Sequence, residues 1–512
     1  MTALAPEQTS ARPLPEHVGV LIAGSGFAGV GAAIALMKEG RHDFVVLERA
    51  DDVGGTWRDN SYPGCACDVP SNLYSYSFAL NPEWSHAFGR QPEIQAYLLK
   101  VADQHGVRRY LHLRTELLQA RWVEDEARWH VTTNRGELTA DVLVAATGPL
   151  SEPSIPRIPG ADSFAGTAFH SATWDHDHDL RGRKVAVIGT GASAIQFVPH
   201  VQKDAGELTL FQRTPPWVMP RPDHVVPEWR KALFRKAPAL QRLTRASIYS
   251  GHEGFILAFK YRTELMKLVE LRSKRLMAKQ IDDPVLRAKL TPTYRAGCKR
   301  ILMSNHYFKA LNQPNADVVT DAIVEIVPEG VVTVDGDGTR TVHEVDTIIW
   351  GTGFKINEQP IADRTLGTDG RTLAEHWATT GMQALHGTTV VGFPNLFFLV
   401  GPNTGLGHSS IIYIIESQVE YLLDALRTMR ARGIAAVEPK PEAQQAFNAD
   451  VQRDLEGTVW NAGGCASWYR DAHGRNTTLW PTFTFLFRRM VRRFPVEAYD
   501  TRPVRTPQEV AA

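Results

Sequence analysis

Two glycine-rich turns constrain this chain more than any other feature, because each dictates a strand before it and a helix after it. The first lies in "HVGVLIAGSGFAGVGAAIALMKEG". Val18 to Ala23 reads as a strand, Gly24, Gly26 and Gly29 form a GxGxxG turn, and an alanine-rich helix follows that Gly40 can end. The next apolar run, "DFVVLE", ends on Glu48, 19 residues after Gly29. Together these make a dinucleotide-binding unit. The glycines permit the tight turn, the approach of backbone to a pyrophosphate and close helix–strand packing, and the helix N-terminus offers free N–H groups to phosphate oxygens. Glu48 is placed to accept hydrogen bonds from a ribose diol.

The second turn lies in "RKVAVIGTGASAIQFVPH", with Val185 to Ile188 as strand, Gly189 and Gly191 leading the turn, Ser193 within it, and Ala194 in place of the third glycine. The strand that follows ends on Gln212 and Arg213 rather than on an acid. A carboxylate there would repel a 2′-phosphate, whereas Arg213 can pair with it and the Thr214 hydroxyl can donate to it, so this unit is expected to prefer NADPH over NADH. Two nucleotide sites of different preference have a ready chemical meaning: one holds a resident flavin, FAD, and the other a diffusible hydride donor. The expected fold is α/β, with two Rossmann-like dinucleotide-binding domains (FAD and NADP) and a helical insertion.

The remaining organisation follows from composition. Residues 1–16, rich in Pro and polar residues and without an apolar h-region, read as a flexible tail and not a signal peptide. Residues 17–150 and 346–512 are assigned to the FAD domain, 151–221 and 291–345 to the NADP domain, and 222–290 to the insertion, where apolar residues recur at helical spacing among many Lys and Arg. That basic stretch is read as a solvated face, with a lid over the site as the functional alternative. The 56 basic and 56 acidic residues cancel, so no overall positive field points to nucleic acid or a membrane surface. No apolar run approaches the ~20 residues that span a bilayer. The four cysteines, Cys65, Cys67, Cys298 and Cys465, make neither a redox CxxC nor a zinc pattern; no metal is expected, and a reduced cytoplasmic setting is. A small-molecule substrate fits this composition.

Several candidate residues are ambiguous from local pattern alone. Gly54 and Gly55, before Thr56 and Trp57, could let backbone lie against a flat ring, as could the small residues Thr147, Gly148, Thr352 and Gly353 at two further strand ends. Asp68 could be a turn-forming residue. Lys299 and Arg300 in "GCKR" could be surface decoration. A helix starting after Gly405 and Gly407 could face the edge of a flavin ring. "SFAGTAFHSATWD", Ser163 to Asp175, puts a His and a Trp in what reads as connecting chain.

That connecting stretch is the most specific element of all. Phe164, Gly166, His170, Trp174 and Asp175 match the fingerprint FxGxxxHxxxW followed by Pro or Asp, and with "GGTW", "YPGCACD" and "GPNTGLGHSS" the chain resembles the class B flavin-dependent monooxygenases, most closely the type I Baeyer–Villiger monooxygenases. The resemblance runs from about Val18 to about Pro481. It implies that Gly24, Gly26, Gly29, Glu48, Gly55, Thr56, Trp57, Asp68 and Tyr74 serve the flavin site, with Cys67 counted among the cofactor-binding residues without assignment to either nucleotide. It implies that Gly189, Gly191, Ser193, Ala194, Arg213 and Thr214 serve NADP, with Lys299 near the 2′-phosphate and Trp468 at the ribose. Arg300 matches the active-site arginine, with Asp68 as its partner. The middle residue of "CAC", Ala66, departs from the Arg common nearby in the family, which leaves local NADP contacts there open.

The family chemistry uses NADPH to reduce FAD and O2 to form a flavin peroxide whose anion attacks a ketone carbonyl, giving an ester or lactone. A guanidinium suits the site because it stays charged and can stabilise the developing oxyanion. His170 and Trp174 are read as a joint that senses movement of the NADP domain, not as catalytic groups. The main alternative is an N- or S-oxygenating relative, acting for instance on sulfides, which would not need Arg300. A flavin disulfide reductase lacks its CxxC here, and a non-catalytic redox sensor would consume NADPH without product.

Overall fold

The computed structural model describes residues 12–471 and 473–504. The expected tail at 1–16 therefore lies largely outside the described residues. Two large sheets, one mixed and one wholly parallel, organise the rest, and each is built around one of the glycine turns. In the first, the strand His17–Ala23 lies between Phe44–Leu47 and Gly136–Ala145, parallel to both, with Ala23 level with Leu47 and Ala145. Leu111–His112 extends one side, and Leu396–Phe398 pairs with Gly136–Ala145 as a returning parallel strand. The antiparallel strands Leu117–Val123 and Arg128–Thr133 carry the sheet onward to Thr365–Leu366. The strands nearest the turn are apolar on both faces, as a sheet covered on both sides requires.

The helix Phe27–Lys38 shows why the sequence needs so many small residues. Nine of its residues are buried, from Phe27 through Leu36, because it is clamped between the sheet and the long helix Ile411–Arg432. A Cβ on Gly29 would stand 1.9 Å from the Gly24 carbonyl oxygen, so helix and strand could not close if the third glycine were larger.

The second sheet is wholly parallel, in the order Ala316–Val319, Glu207–Phe211, Lys184–Ile188, Thr347–Trp350, Thr167–His170. Thr347–Trp350 thus belongs with the second glycine turn. The chain's return to the first sheet begins after Trp350, not at the expected boundary of 346. The reason is that this strand is buried at every position and apolar beyond Thr347, so it carries no alternation to mark which sheet will take it.

The insertion is helical as its periodicity predicts, with helices at Glu228–Lys236, Pro238–Gly254, Met266–Ala278 and Pro284–Lys289. Its cations are not all solvated, however. Arg245 is turned inward and one guanidinium nitrogen donates to the carbonyls of Asn72, Leu73 and Ser75. Burial lowers its pKa, and the three carbonyls hold the charge in place. Gln241 adds hydrogen bonds to Asn72 and Asn81, so the insertion is fastened onto the aromatic segment that follows the first nucleotide unit.

The cysteines differ from expectation. Cys298 and Cys465, 167 residues apart in sequence, are joined in a disulfide, while Cys65 and Cys67 are free and buried. Such a pairing is invisible in sequence spacing, because it depends on the fold bringing the "GCKR" turn against a C-terminal segment.

Candidate active site

The carboxyl ends of both sheets open onto one continuous cavity of about 1220 Å³. That is larger than the ~300–1,000 Å³ of an ordinary small-ligand pocket, as two dinucleotides sharing a site would require. Its walls can be built from the turns outward. Gly24 has φ of +103° and a Cβ there would lie 2.6 Å from the Ala146 carbonyl oxygen; Gly189 has φ of +111° and a Cβ there would lie 2.4 Å from that of Gly351. Only glycine fits either place, and both leave backbone N–H groups facing the cavity from the start of a helix. The donor sets present fit two anionic dinucleotides.

Glu48 stands beside the first turn and also braces it. One carboxylate oxygen accepts from the Ser25 amide at 3.0 Å and the Ser25 hydroxyl at 2.7 Å; the other accepts from the Ala50 amide at 3.0 Å and lies 3.2 Å from Arg58. Trp57 follows Gly55 and Thr56 on a short helical turn and donates its indole N–H to the Tyr74 hydroxyl at 2.9 Å. At the second turn, the cations Arg213 and Lys299 face the same end of the cavity. Burial, reinforced by the neighbouring Arg213, lowers the pKa of the Lys299 ammonium. Neither has an ion-pair partner among the described residues, and two like charges held together in this way suit a phosphate between them.

Arg300 and Asp68 are 232 residues apart in sequence and meet at the cavity wall. The Asp68 carboxylate accepts from Arg300 Nε at 2.7 Å and lies 2.6 Å from Nη2. The third arm, Nη1, is directed at the Leu406 carbonyl at 3.5 Å. The two side chains are 32% and 28% exposed, opening onto the cavity. Asp68 raises the arginine's pKa further above its already high value, so the guanidinium is charged at any working pH.

Of the residues singled out from sequence, Gly24, Gly26, Glu48, Gly55, Thr56, Trp57, Cys67, Asp68 and Tyr74 line this cavity, as do Gly189, Gly191, Ser193, Arg213, Thr214, Lys299, Arg300 and Trp468. Gly29 and Ala194 do not. Both sit behind their turns as packing positions, Gly29 under the Gly24 carbonyl and Ala194 under Gly351. The thiol of Cys67 is buried and its pKa is pushed well up, and burial pushes Cys65 up to about 12, so neither is a ready thiolate. His170 and Trp174 lie off the wall. His170 ends its strand level with Trp350 and meets Phe354, which does line the cavity, edge-on at 5.8 Å. Trp174 packs on Phe197 of the second nucleotide helix at 5.3 Å.

Sequence reasoning missed several wall residues. Gln196 clamps the "CAC" segment to the second nucleotide helix: its amide donates to the Ala66 carbonyl at 2.9 Å and its oxygen accepts from the Tyr62 hydroxyl at 3.1 Å. Ile411 and Ile415 line the cavity from the first turns of the long helix, and their four-residue spacing was a signal that helical periodicity could have used.

Comparison with known proteins narrows this geometry. The sequence pattern of the family described as pyridine nucleotide-disulphide oxidoreductase matches residues 21–244, which contain both glycine turns. A Baeyer–Villiger monooxygenase of Streptomyces coelicolor is 53% identical over 499 residues, covering 97% of this chain and 95% of the relative. The chain belongs to the Baeyer–Villiger monooxygenase family. A second member, from Pseudomonas aeruginosa, is 48% identical over 96% of this chain and 93% of its own. Among solved structures, OTEMO in complex with FAD and NADP matches with a TM-score of 0.84 at 28% identity, covering 95% of this chain and 99% of that one. An oxidised steroid monooxygenase bound to NADP matches with a TM-score of 0.82 at 29% identity, over 95% of this chain and 99% of that one. Membership of the Baeyer–Villiger family gives the two-turn cavity its meaning: one site is for a flavin and the other for a nicotinamide dinucleotide. Among the described residues no helix is long and apolar enough to cross a membrane.

Proposed function

We infer that Arg300, held in place by Asp68, stabilises the charge that develops in the Baeyer–Villiger reaction of this chain, the NADPH- and O2-dependent insertion of one oxygen atom beside a ketone carbonyl to give an ester or lactone. The observation that supports it most directly is the bridged arginine at the wall between the two glycine turns. When bound, FAD would supply the redox chemistry by which NADPH and O2 place one oxygen atom in the product and release the other as water. What the chain supplies is placement and charge.

The first turn would hold the FAD pyrophosphate against backbone N–H groups, with Glu48 at the ribose, and Gly55, Thr56 and Trp57 shape the wall beyond it. Gly189, Gly191 and Ser193 would hold the NADP pyrophosphate, and Arg213, Thr214 and Lys299 would take the 2′-phosphate. Arg300 stabilises negative charge developing on oxygen, and because Asp68 fixes two arms of its fork the donors are aimed before the reaction begins. The apolar faces of Leu406, Ile411 and Ile415 exclude water and accept the carbon skeleton of a ketone.

Incubation with NADPH and 18O2 against a panel of cyclic, linear and aryl ketones and of sulfides tests this reading. One labelled oxygen in an ester or lactone is expected. Labelled sulfoxide with no ester from any ketone would instead assign the chain to sulfur oxygenation.

A further inference from the structure

Cys298 lies immediately before Lys299 and Arg300, and Cys465 lies three residues before Trp468. Their disulfide therefore joins the turn that carries two of the site's cations to the segment that brings Trp468 to the cavity wall. Gly463 is packed directly on Cys298, where a Cβ would stand 2.5 Å from that of the cysteine, and its carbonyl accepts from the Arg295 amide at 3.0 Å. Beyond that point non-covalent support is thin. Among the described residues, the Asn357 amide reaches the Trp468 carbonyl only at 3.5 Å, and the other hydrogen bonds of 464–468, apart from the contact at the disulfide itself, are local, with Ser467 accepting from the amides of Tyr469 and Arg470. Gly464, Ala466 and Trp468 are exposed, Trp468 by 42%. Tyr469, by contrast, is buried close enough to Arg300 and Asp68 to feel both charges. This sparsely bonded stretch of backbone is thus held near its start by a covalent bond at Cys465 and just beyond its end by a buried tyrosine beside the guanidinium.

We propose that the Cys298–Cys465 disulfide is a redox-operated tie that positions the Trp468 segment over the NADP end of the cavity and thereby keeps NADP bound during oxygenation. The proposal rests on the assignment of Arg213, Lys299 and Trp468 to NADP given above. Cys298 is buried but Cys465 is half-buried, so a dithiol reductant has access to one sulfur. Its thiolate attacks Sγ of Cys465, the Sγ–Sγ bond breaks, and Cys298 leaves as a thiolate. The reductant's second thiolate then displaces Cys465 and closes the reductant's own disulfide. Two electrons pass from reductant to protein and both cysteines are left to take up protons. The Trp468 segment is then held by its weak bonds alone, and ordering it again is a cost that NADP binding has to meet.

The test uses the FAD-loaded enzyme, air-oxidised or treated with dithiothreitol and then freed of it. Thiol titration under denaturing conditions should find two free thiols before reduction and four after, since Cys65 and Cys67 are free in both states. Reduction should raise the NADP+ dissociation constant by about tenfold, as expected for ordering one large side chain and its flanking backbone, and should raise hydrogen peroxide released per NADPH. Cys465→Ser should show the weak NADP+ binding without reductant and no longer respond to it, a readout that a merely structural cysteine would not move. Four free thiols in the oxidised enzyme, or unchanged NADP+ affinity and peroxide release once the thiols are shown to be freed, overturns the tie. Absence of ester in both states, with the change in NADP+ affinity intact, instead counts against the assigned reaction.

Discussion

Arg300→Met tests the core of the reading, because it removes charge and donors while keeping a long, flexible side chain in the same space. In the wild-type site two guanidinium nitrogens share one Asp68 oxygen, at 2.7 and 2.6 Å, and the third points to the Leu406 carbonyl. Loss of a preorganised charge-stabilising donor costs about 2.7–4 kcal/mol in the transition state, or roughly 10²–10³ in rate. The stability cost is smaller than for a sealed ion pair, because both side chains are about a third exposed and water can reach Asp68 when its partner is gone; about 1 kcal/mol is the appropriate scale. Hydride transfer from NADPH creates no oxyanion beside Arg300, so flavin reduction should keep most of its rate. The assay is anaerobic stopped-flow reduction of the flavin, followed in air by chromatography of ketone and ester. Reduction within a few-fold of wild type with ester formation down at least a hundredfold is expected. Ester formation above a tenth of the wild-type rate, or loss of reduction and ester together, would refute the argument.

Three further outcomes follow from titratable and packed groups around the same cavity. Lys299 has a lowered pKa and is needed as a cation, so the KM for NADPH should rise with pH below the ordinary lysine value of about 10.4 while that for NADH stays flat; Lys299→Ala should abolish the difference, which steady-state kinetics across pH 7–10 would read. Burial pulls Glu253 upward, but the His408 imidazole 3.4 Å away and the hydrogen bonds from the Thr484 amide and hydroxyl more than offset it, leaving its pKa lowered. Its stabilisation is therefore full above the unfolded value of about 4.3 and lost as pH falls through the lower folded value, so the gap in Tm between wild type and Glu253→Gln should shrink on acidification through that range. His170→Ala should leave NADPH oxidation largely intact but divert oxygen to hydrogen peroxide, because it removes the packing between the second sheet and Phe354; equal ester yield per NADPH in both proteins would make His170 scaffold alone.

How much of this was legible in the sequence depended on distance along the chain. The turns at Gly24 and Gly189 could be read because everything that defines them lies within a single strand–turn–helix unit. Arg213 and Glu48 were readable for the same reason, each closing the second strand of its unit. Asp68 and Arg300 are 232 residues apart, and nothing local separates this arginine from a surface one; it was the resemblance, and not the spacing, that picked it out. The clamp of Gln196 on Ala66 spans 130 residues, and the disulfide spans 167, and both were missed. The strand Thr347–Trp350 was assigned one sheet too far because a doubly buried strand shows no alternation, and sheet membership is then decided by packing partners alone.

The cavity divides its cations into two kinds, and the division follows from what each must do. Arg300 is compensated by Asp68, which lowers the net charge it presents but fixes its direction, and direction is what a transient oxyanion demands. Arg213 and Lys299 have no carboxylate partner among the described residues, so their net charge stays available to an anion that arrives by diffusion and must be held as a whole. A carboxylate beside them would remove the attraction a 2′-phosphate requires, and its absence beside Arg300 would leave the fork free to rotate. Substrate turnover and cofactor capture can therefore be served by the same residue types in one cavity, provided that the acid stands next to only one of them.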